Sequence, residues 1–112
     1  MLDRTRLALR INTHAYDAEI ASLILAGAKD LSESAGIPVQ GVELTTTWSD
    51  GVPTVTDSST ITDELIIRAI ITYVRFSFGS PQDFDRLKAA YDEQKAQLQT
   101  ASGYGLRGGD EW

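Results

Sequence analysis

Residues 60–79 read TITDELIIRAIITYVRFSFG. On a helix, Leu65, Ile66, Ile67, Ala69, Ile70, Ile71, Tyr73, Val74, Phe76 and Phe78 spread around most of the circumference. Only Glu64, Arg68, Thr72 and Arg75 form a polar strip. A surface helix needs an apolar stripe of roughly 100°, and this one has about twice that on the 3.6-residue period. Two packing surfaces are implied. One belongs to the helix's own domain; in a chain of 112 residues the second is most economically another subunit.

The flanks of this helix carry their own signals. Thr60 is a candidate cap, with Asp63 in the capping-box place, and Gly79 supplies the stop. Upstream, Val42, Leu44, Thr46 and Trp48 alternate with Glu43, Thr45 and Thr47, the period-two pattern of a strand. Ser49-Asp50-Gly51 is turn chemistry, and Val52-Pro53-Thr54-Val55 returns as a second strand that Pro53 confines to an edge. An isolated two-stranded hairpin is barely stable in water. This insertion, about residues 39–59, must therefore lie on a helix or on a neighbour's hairpin.

Further upstream, residues 16–35 are helical: Tyr16, Ile20, Leu23, Ile24, Gly27, Ala28 and Leu31 share one face. Asp17 and Glu19 favour the helix dipole, and Gly36 with Pro38 ends the helix. Gly27 and Ala28 thin the stripe, so a second helix can approach closely. Residues 2–9 form a short first helix, and Ile11 to His14 a connector. Downstream, Ser80 caps a last helix with Pro81 at its first position. Phe84, Leu87, Tyr91, Gln94 and Leu98 make a seven-residue seam. The fold expected is mainly α: a bundle of three to four helices in residues 1–100, with the hairpin inserted before the central helix.

Residues 101–112 carry four glycines and no periodicity. Two readings stand: a frayed tail, or a docking arm that orders on a partner through Tyr104, Leu106 and Trp112.

Composition narrows the chemistry. There is no cysteine, hence no disulfide framework and no thiolate metal site. The N-terminal residues lack an apolar signal region, and the longest apolar run is too short for a bilayer. The chain reads as soluble and intracellular. Its formal charge is −6, and residues 30–67 hold seven acids with no Lys or Arg. Such a surface repels phosphate backbones. Arg4, Arg6 and Arg10 form the one basic cluster, read as solvated or ion-paired. Catalysis finds no footing. His14 is the single histidine, and it sits in a connector. The carboxylate pairs Asp63–Glu64, Asp83–Asp85 and Asp92–Glu93 diverge around their helices. No phosphate loop, dinucleotide fingerprint or metal-ligand spacing occurs. No catalytic residue, metal ligand or cofactor is assigned.

Order, spacing and texture nonetheless resemble one family, the small head–tail connector (adaptor, or head-completion) proteins of long-tailed bacteriophages. The likeness lies in the opening LDRTRLALRI with the acid-led DAEIASLILAGAKDLSESAG, the variable loop GVELTTTWSDGVPTV, the apolar DELIIRAIITYVRFSFG, and the closing DFDRLKAAYDEQKAQL with its Gly- and Tyr-bearing tail. Many relatives carry an acidic or polar pair after the central helix's aromatic residue, where this chain has Phe76-Ser77-Phe78-Gly79. The resemblance implies a non-enzymatic virion protein at the head–tail interface, assembled from the host cytoplasm. Copies would form a ring, dodecameric by that likeness, beneath the portal protein. The ring would extend the DNA channel, without specific DNA binding or membrane contact, and receive a tail-side stopper or tail-completion protein. Under this reading Ile67, Ile71, Val74 and Phe78 face the neighbouring subunit. Glu43, Asp50 and Asp57 sit on the channel-facing loop, and Tyr104, Leu106 and Trp112 dock on the portal. The rival is a small helical protein–protein interaction or regulatory module without catalytic activity. Portal and capsid genes nearby would favour the connector.

Overall fold

The structure, a computed structural model, describes residues 1–79 and 82–101. Four helices and one hairpin follow in order: α1 (Leu2–Ala8), α2 (Asp17–Ser34), β1 (Leu44–Ser49), β2 (Val52–Asp57), α3 (Glu64–Ser77) and α4 (Phe84–Ala101). The expected architecture is present, with the hairpin between the second and the central helix. Ser80 and Pro81, expected to open the last helix, lie outside the described residues, as do Tyr104, Leu106 and Trp112.

The central helix begins later than its sequence suggests. Asp63, not Thr60, is the N-cap: its carboxylate accepts from the N–H groups of Leu65 (3.1 Å) and Ile66 (3.4 Å). A carboxylate at that place also meets the positive end of the helix dipole. Thr60 serves a different join. Gly41 O accepts from both Thr60 N–H and Ile61 N–H, at 2.7 and 3.1 Å, closing the hairpin's base. Gly41 has φ +86°, and a Cβ there would lie 2.9 Å from Ile61 N, so only glycine fits.

α3 packs against both α2 and α4, and it also touches α1. Ile20, Ala21, Ile24, Leu31, Ile66, Ala69, Ile70 and Val74 are buried in one core with Leu87, Tyr91 and Leu98 of the α4 seam. The approach of α2 to α3 is set by Gly27, where a Cβ would stand 3.0 Å from Tyr73 Cδ1 and 3.1 Å from its Cγ. Tyr73 thus lies directly on the α2 backbone. Its ring then meets Phe76 and Tyr91 edge-on, with centroids 5.2 and 5.4 Å away, and Phe84 closes on Phe76 at 5.6 Å. Edge-to-face pairs of this kind add roughly 0.5–1.5 kcal/mol each beyond area burial.

This arrangement corrects one inference. Much of the double-width apolar surface of α3 is covered without another subunit, because α2 and α4 of the same chain both pack on it. Ile67 and Val74 are buried within the single chain, whereas Ile71 and Phe78 are half-buried. The polar strip is as expected for Glu64, Arg68 and Arg75. Thr72 is buried, its hydroxyl donating back to Arg68 O at 3.0 Å.

Candidate assembly interface

The hairpin follows from its turn. Asp50 and Gly51 both take positive φ, 53° and 76°, as a type I′ turn requires. With a two-residue turn, Ser49 and Val52 form the first hydrogen-bonded pair, and Thr47–Thr54 and Thr45–Thr56 the next ones. The bond from Ser58 N–H to Glu43 O, 2.9 Å, keeps the alternation beyond the strands. The pairs between them, Leu44–Asp57, Thr46–Val55 and Trp48–Pro53, therefore direct their backbone groups outward. Pro53 sits where its missing N–H costs the hairpin nothing, which is the edge role its sequence implies. Among the described residues the sheet has these two strands alone, so both edges are unpaired.

Side chains of those three pairs share one face of the hairpin. Leu44 is buried at the base, Thr46 and Val55 are half-buried, and Trp48 near the tip is 65% exposed. The base lies on α2, meeting the expectation that a helix must support it. The tip does not share that cover. Leu7 (78% exposed) and Leu65 (49%) are further large apolar side chains on the surface.

The base is fastened by Asp57. Its Oδ2 accepts from Leu2 N–H at 2.7 Å and lies 3.0 Å from the Met1 amino group, while Oδ1 accepts from Ser59 N–H at 3.1 Å. Burial works to raise this carboxyl, but the bonds from Leu2, Ser59 and the Met1 amine outweigh it and hold the group well below the usual carboxylate range. Asp57, which the family resemblance places on a channel-facing loop, is thus tied to α1.

Most of the acids in residues 30–67 are similarly engaged. Arg4 forks onto Glu64 through Nη1 and Nη2 at 2.8 and 2.9 Å. Asp30 accepts from Tyr91 Oη (2.5 Å), Ser34 Oγ (2.9 Å) and Lys95 Nζ (3.3 Å). Burial pushes Asp30 up, yet these donors keep it below its ordinary value, and burial together with the Asp30 bond lifts the Tyr91 phenol above its own. Glu33 pairs with Lys29 at 4.0 Å, and Asp63 caps α3. Glu43 and Asp50 have no ion pair among the described residues, so the unneutralised charge gathers on the hairpin. The ion-paired reading of the first arginines also holds for two of the three. Besides Arg4, Arg6 clasps Asp17 through Nε and Nη2 at 3.0 and 3.2 Å. Sequence patterning offered no signal for these links, which join residues as far apart as Asp30 and Lys95.

A surface depression of about 520 Å³ is lined by Pro38, Gln40, Gly41, Thr60, Ile61, Thr62, Asp63 and Ile66. Its single carboxylate is the one that caps α3, so no acid–base pair converges there. Among the described residues no group of three or more His, Asp or Glu is placed to hold a metal ion, and no helix is long and apolar enough to cross a membrane. What the surface presents is a projecting hairpin with open edges, an exposed tryptophan and two free carboxylates.

The family described as phage connector protein matches residues 1–105. No curated protein and no solved structure matched the chain. The match spans every described element, including the projecting hairpin, and the chain belongs to the phage connector protein family.

Proposed function

We propose that this protein is a subunit of a closed ring that joins the portal of a bacteriophage head to the tail and extends the DNA channel. The observation that carries the reading is the family match across residues 1–105, which makes the protein a structural component of the phage head–tail connection. Its role is mechanical and needs no catalytic step. Head-to-tail contacts between identical subunits close into rings when their rotation permits.

Several surfaces support the reading. Glu43 and Asp50 leave the hairpin acidic, and an acidic channel rim keeps passing DNA from sticking. Asp57 contributes by fixing the hairpin's base instead of facing DNA. Toward a neighbour the central helix offers Ile71 and Phe78, with Ile67 and Val74 forming the packed layer beneath them. Residues 101–112, with Tyr104, Leu106 and Trp112, form the arm that docks on the portal, and the opposite side of the ring receives a stopper or tail-completion protein.

Native mass spectrometry of the full chain over a concentration series, alone and after incubation with portal-bearing heads, tests this proposal. A ring-sized closed oligomer in solution, or a fixed multiple of the chain retained on heads, is the expected outcome. A chain that stays single in solution and leaves portal-bearing heads unoccupied overturns it.

A further inference from the structure

The two edges of the hairpin differ in a way that favours one partner. On β1, Thr46 and Trp48 turn both N–H and C=O outward, with no proline and no charged side chain between Leu44 and Ser49. No hydrogen bond reaches these outward groups among the described residues. Exposed strand edges are ordinarily blunted by Lys, Pro or a bulge; β1 has none of these. On β2 the outward groups are those of Asp57 at the base, of Val55, and the carbonyl of Pro53, since Pro53 has no N–H to give.

We propose that the outer edge of β1 pairs with the outer edge of β2 from the next copy, so that the hairpins of successive subunits join into one antiparallel sheet. The inference rests on the ring reading above and names the contact that builds it. β1 and β2 already run antiparallel within one chain, so repeating the hairpin side by side places each β1 antiparallel to the neighbour's β2. Thr46 and Val55 then exchange both backbone bonds, and Trp48 N–H donates to the Pro53 carbonyl. The four side chains of these two pairs are uncharged, with Asp57 held at the base by Leu2 and Ser59, and the exposed Trp48 ring gains Pro53 as an apolar neighbour. Pairing β1 with a second β1 about a two-fold axis would use the same groups but stop at two copies. The β1-to-β2 contact is heterologous, and such contacts propagate until they close. It also supplies the third and later strands that a lone hairpin lacks for stability.

Thr46→Pro tests this. Because the Thr46 N–H points outward, proline there removes a donor from the edge without touching the internal ladder, as Pro53 already does on β2. The variant should keep its helical signal and the amide protection of Thr47 and Thr54, yet need about tenfold higher concentration to assemble, the loss expected for one hydrogen bond and the fit around it. Assembly by Thr46→Pro at the wild-type concentration overturns the inference while leaving the ring intact. A second measurement does not depend on the variant's folding. In the wild-type assembly, amide exchange at Thr46, Trp48 and Val55 should slow at least about tenfold relative to the single chain. Protection at Thr46 and Trp48 without Val55 overturns the β2 partner, and protection at none of the three overturns the contact. A chain that never assembles, in solution or on heads, removes the ring and this sheet together.

Discussion

The fastening of α4 to α2 gives a prediction whose size follows from the structure. Tyr91 is 1% exposed, and its hydroxyl donates to Asp30 Oδ2 at 2.5 Å. Replacing Asp30 by alanine leaves that buried hydroxyl without an acceptor, which costs about 1–3 kcal/mol. Lys95 also loses its partner. It lies near the surface, where an ion pair contributes roughly 0–1 kcal/mol. Asp30→Ala should therefore lower the unfolding free energy by about 2–3 kcal/mol. Tyr91→Phe removes the donor but leaves the carboxylate its bonds from Ser34 and Lys95, so about 1–1.5 kcal/mol is lost. Once the hydroxyl is gone, removing Asp30 strands nothing buried. The double variant should fall short of the sum of the singles by about 1–2 kcal/mol. Urea unfolding of the four proteins at neutral pH measures all three quantities. A coupling near zero, or an Asp30→Ala effect within the roughly 0.5 kcal/mol typical of surface changes, would refute the claim that this bond holds α4 in place.

Two further perturbations probe other joints. Gly27→Leu should destabilise by about 2–3 kcal/mol, because its Cβ would meet the root of the Tyr73 side chain at 3.0–3.3 Å and force α2 off α3; a variant as stable as wild type would show the helices to be less tightly apposed. Asp57→Asn should flatten the acid limb of the stability profile. A carboxyl held low in the folded state contributes stability that is fully present above its unfolded pKa, about 3.9, and is lost as pH falls toward the folded value. Below about pH 4 the wild type should therefore lose stability faster than Asp57→Asn, by at most about 1.4 kcal/mol per pH unit, with Asp17, Asp30 and Glu64, also held low, supplying the slope that remains. Parallel acid limbs would mean that Asp57 is not engaged at the hairpin base.

The elements were legible in sequence because each is written in a local pattern. Period-two alternation into Asp50-Gly51 marks the hairpin, and the seam through Leu87, Tyr91 and Leu98 marks α4. Gly27 announced a close approach, and Tyr73 is what approaches. The clasps were not legible, because they join residues that no local period relates. Asp57 to Leu2 and Asp30 to Tyr91 span 55 and 61 positions, and an isolated Asp looks alike in sequence whether it faces a channel or a backbone N–H. Thr60 and Asp63 were both plausible caps by residue type. The choice between them fell to Gly41, whose carbonyl takes the Thr60 N–H and leaves Asp63 at the helix mouth.

The apolar width of α3 shows where a local reading stops. An angular spread of apolar residues counts the packing surfaces a helix must cover but carries no record of whose atoms cover them. Here α2 and α4 of the same chain both pack on α3, and Val74 and Ile67 are buried within that single chain. An Asp at either position would unfold the chain, and loss of assembly in such a variant would say nothing about a ring contact. Ile71, half-buried, and Thr46, on an open strand edge, are the positions where assembly can be challenged while the fold is kept. If Ile71→Asp leaves assembly intact while Thr46→Pro weakens it, the hairpin and not the central helix holds the subunits together. The opposite result would return the interface to α3.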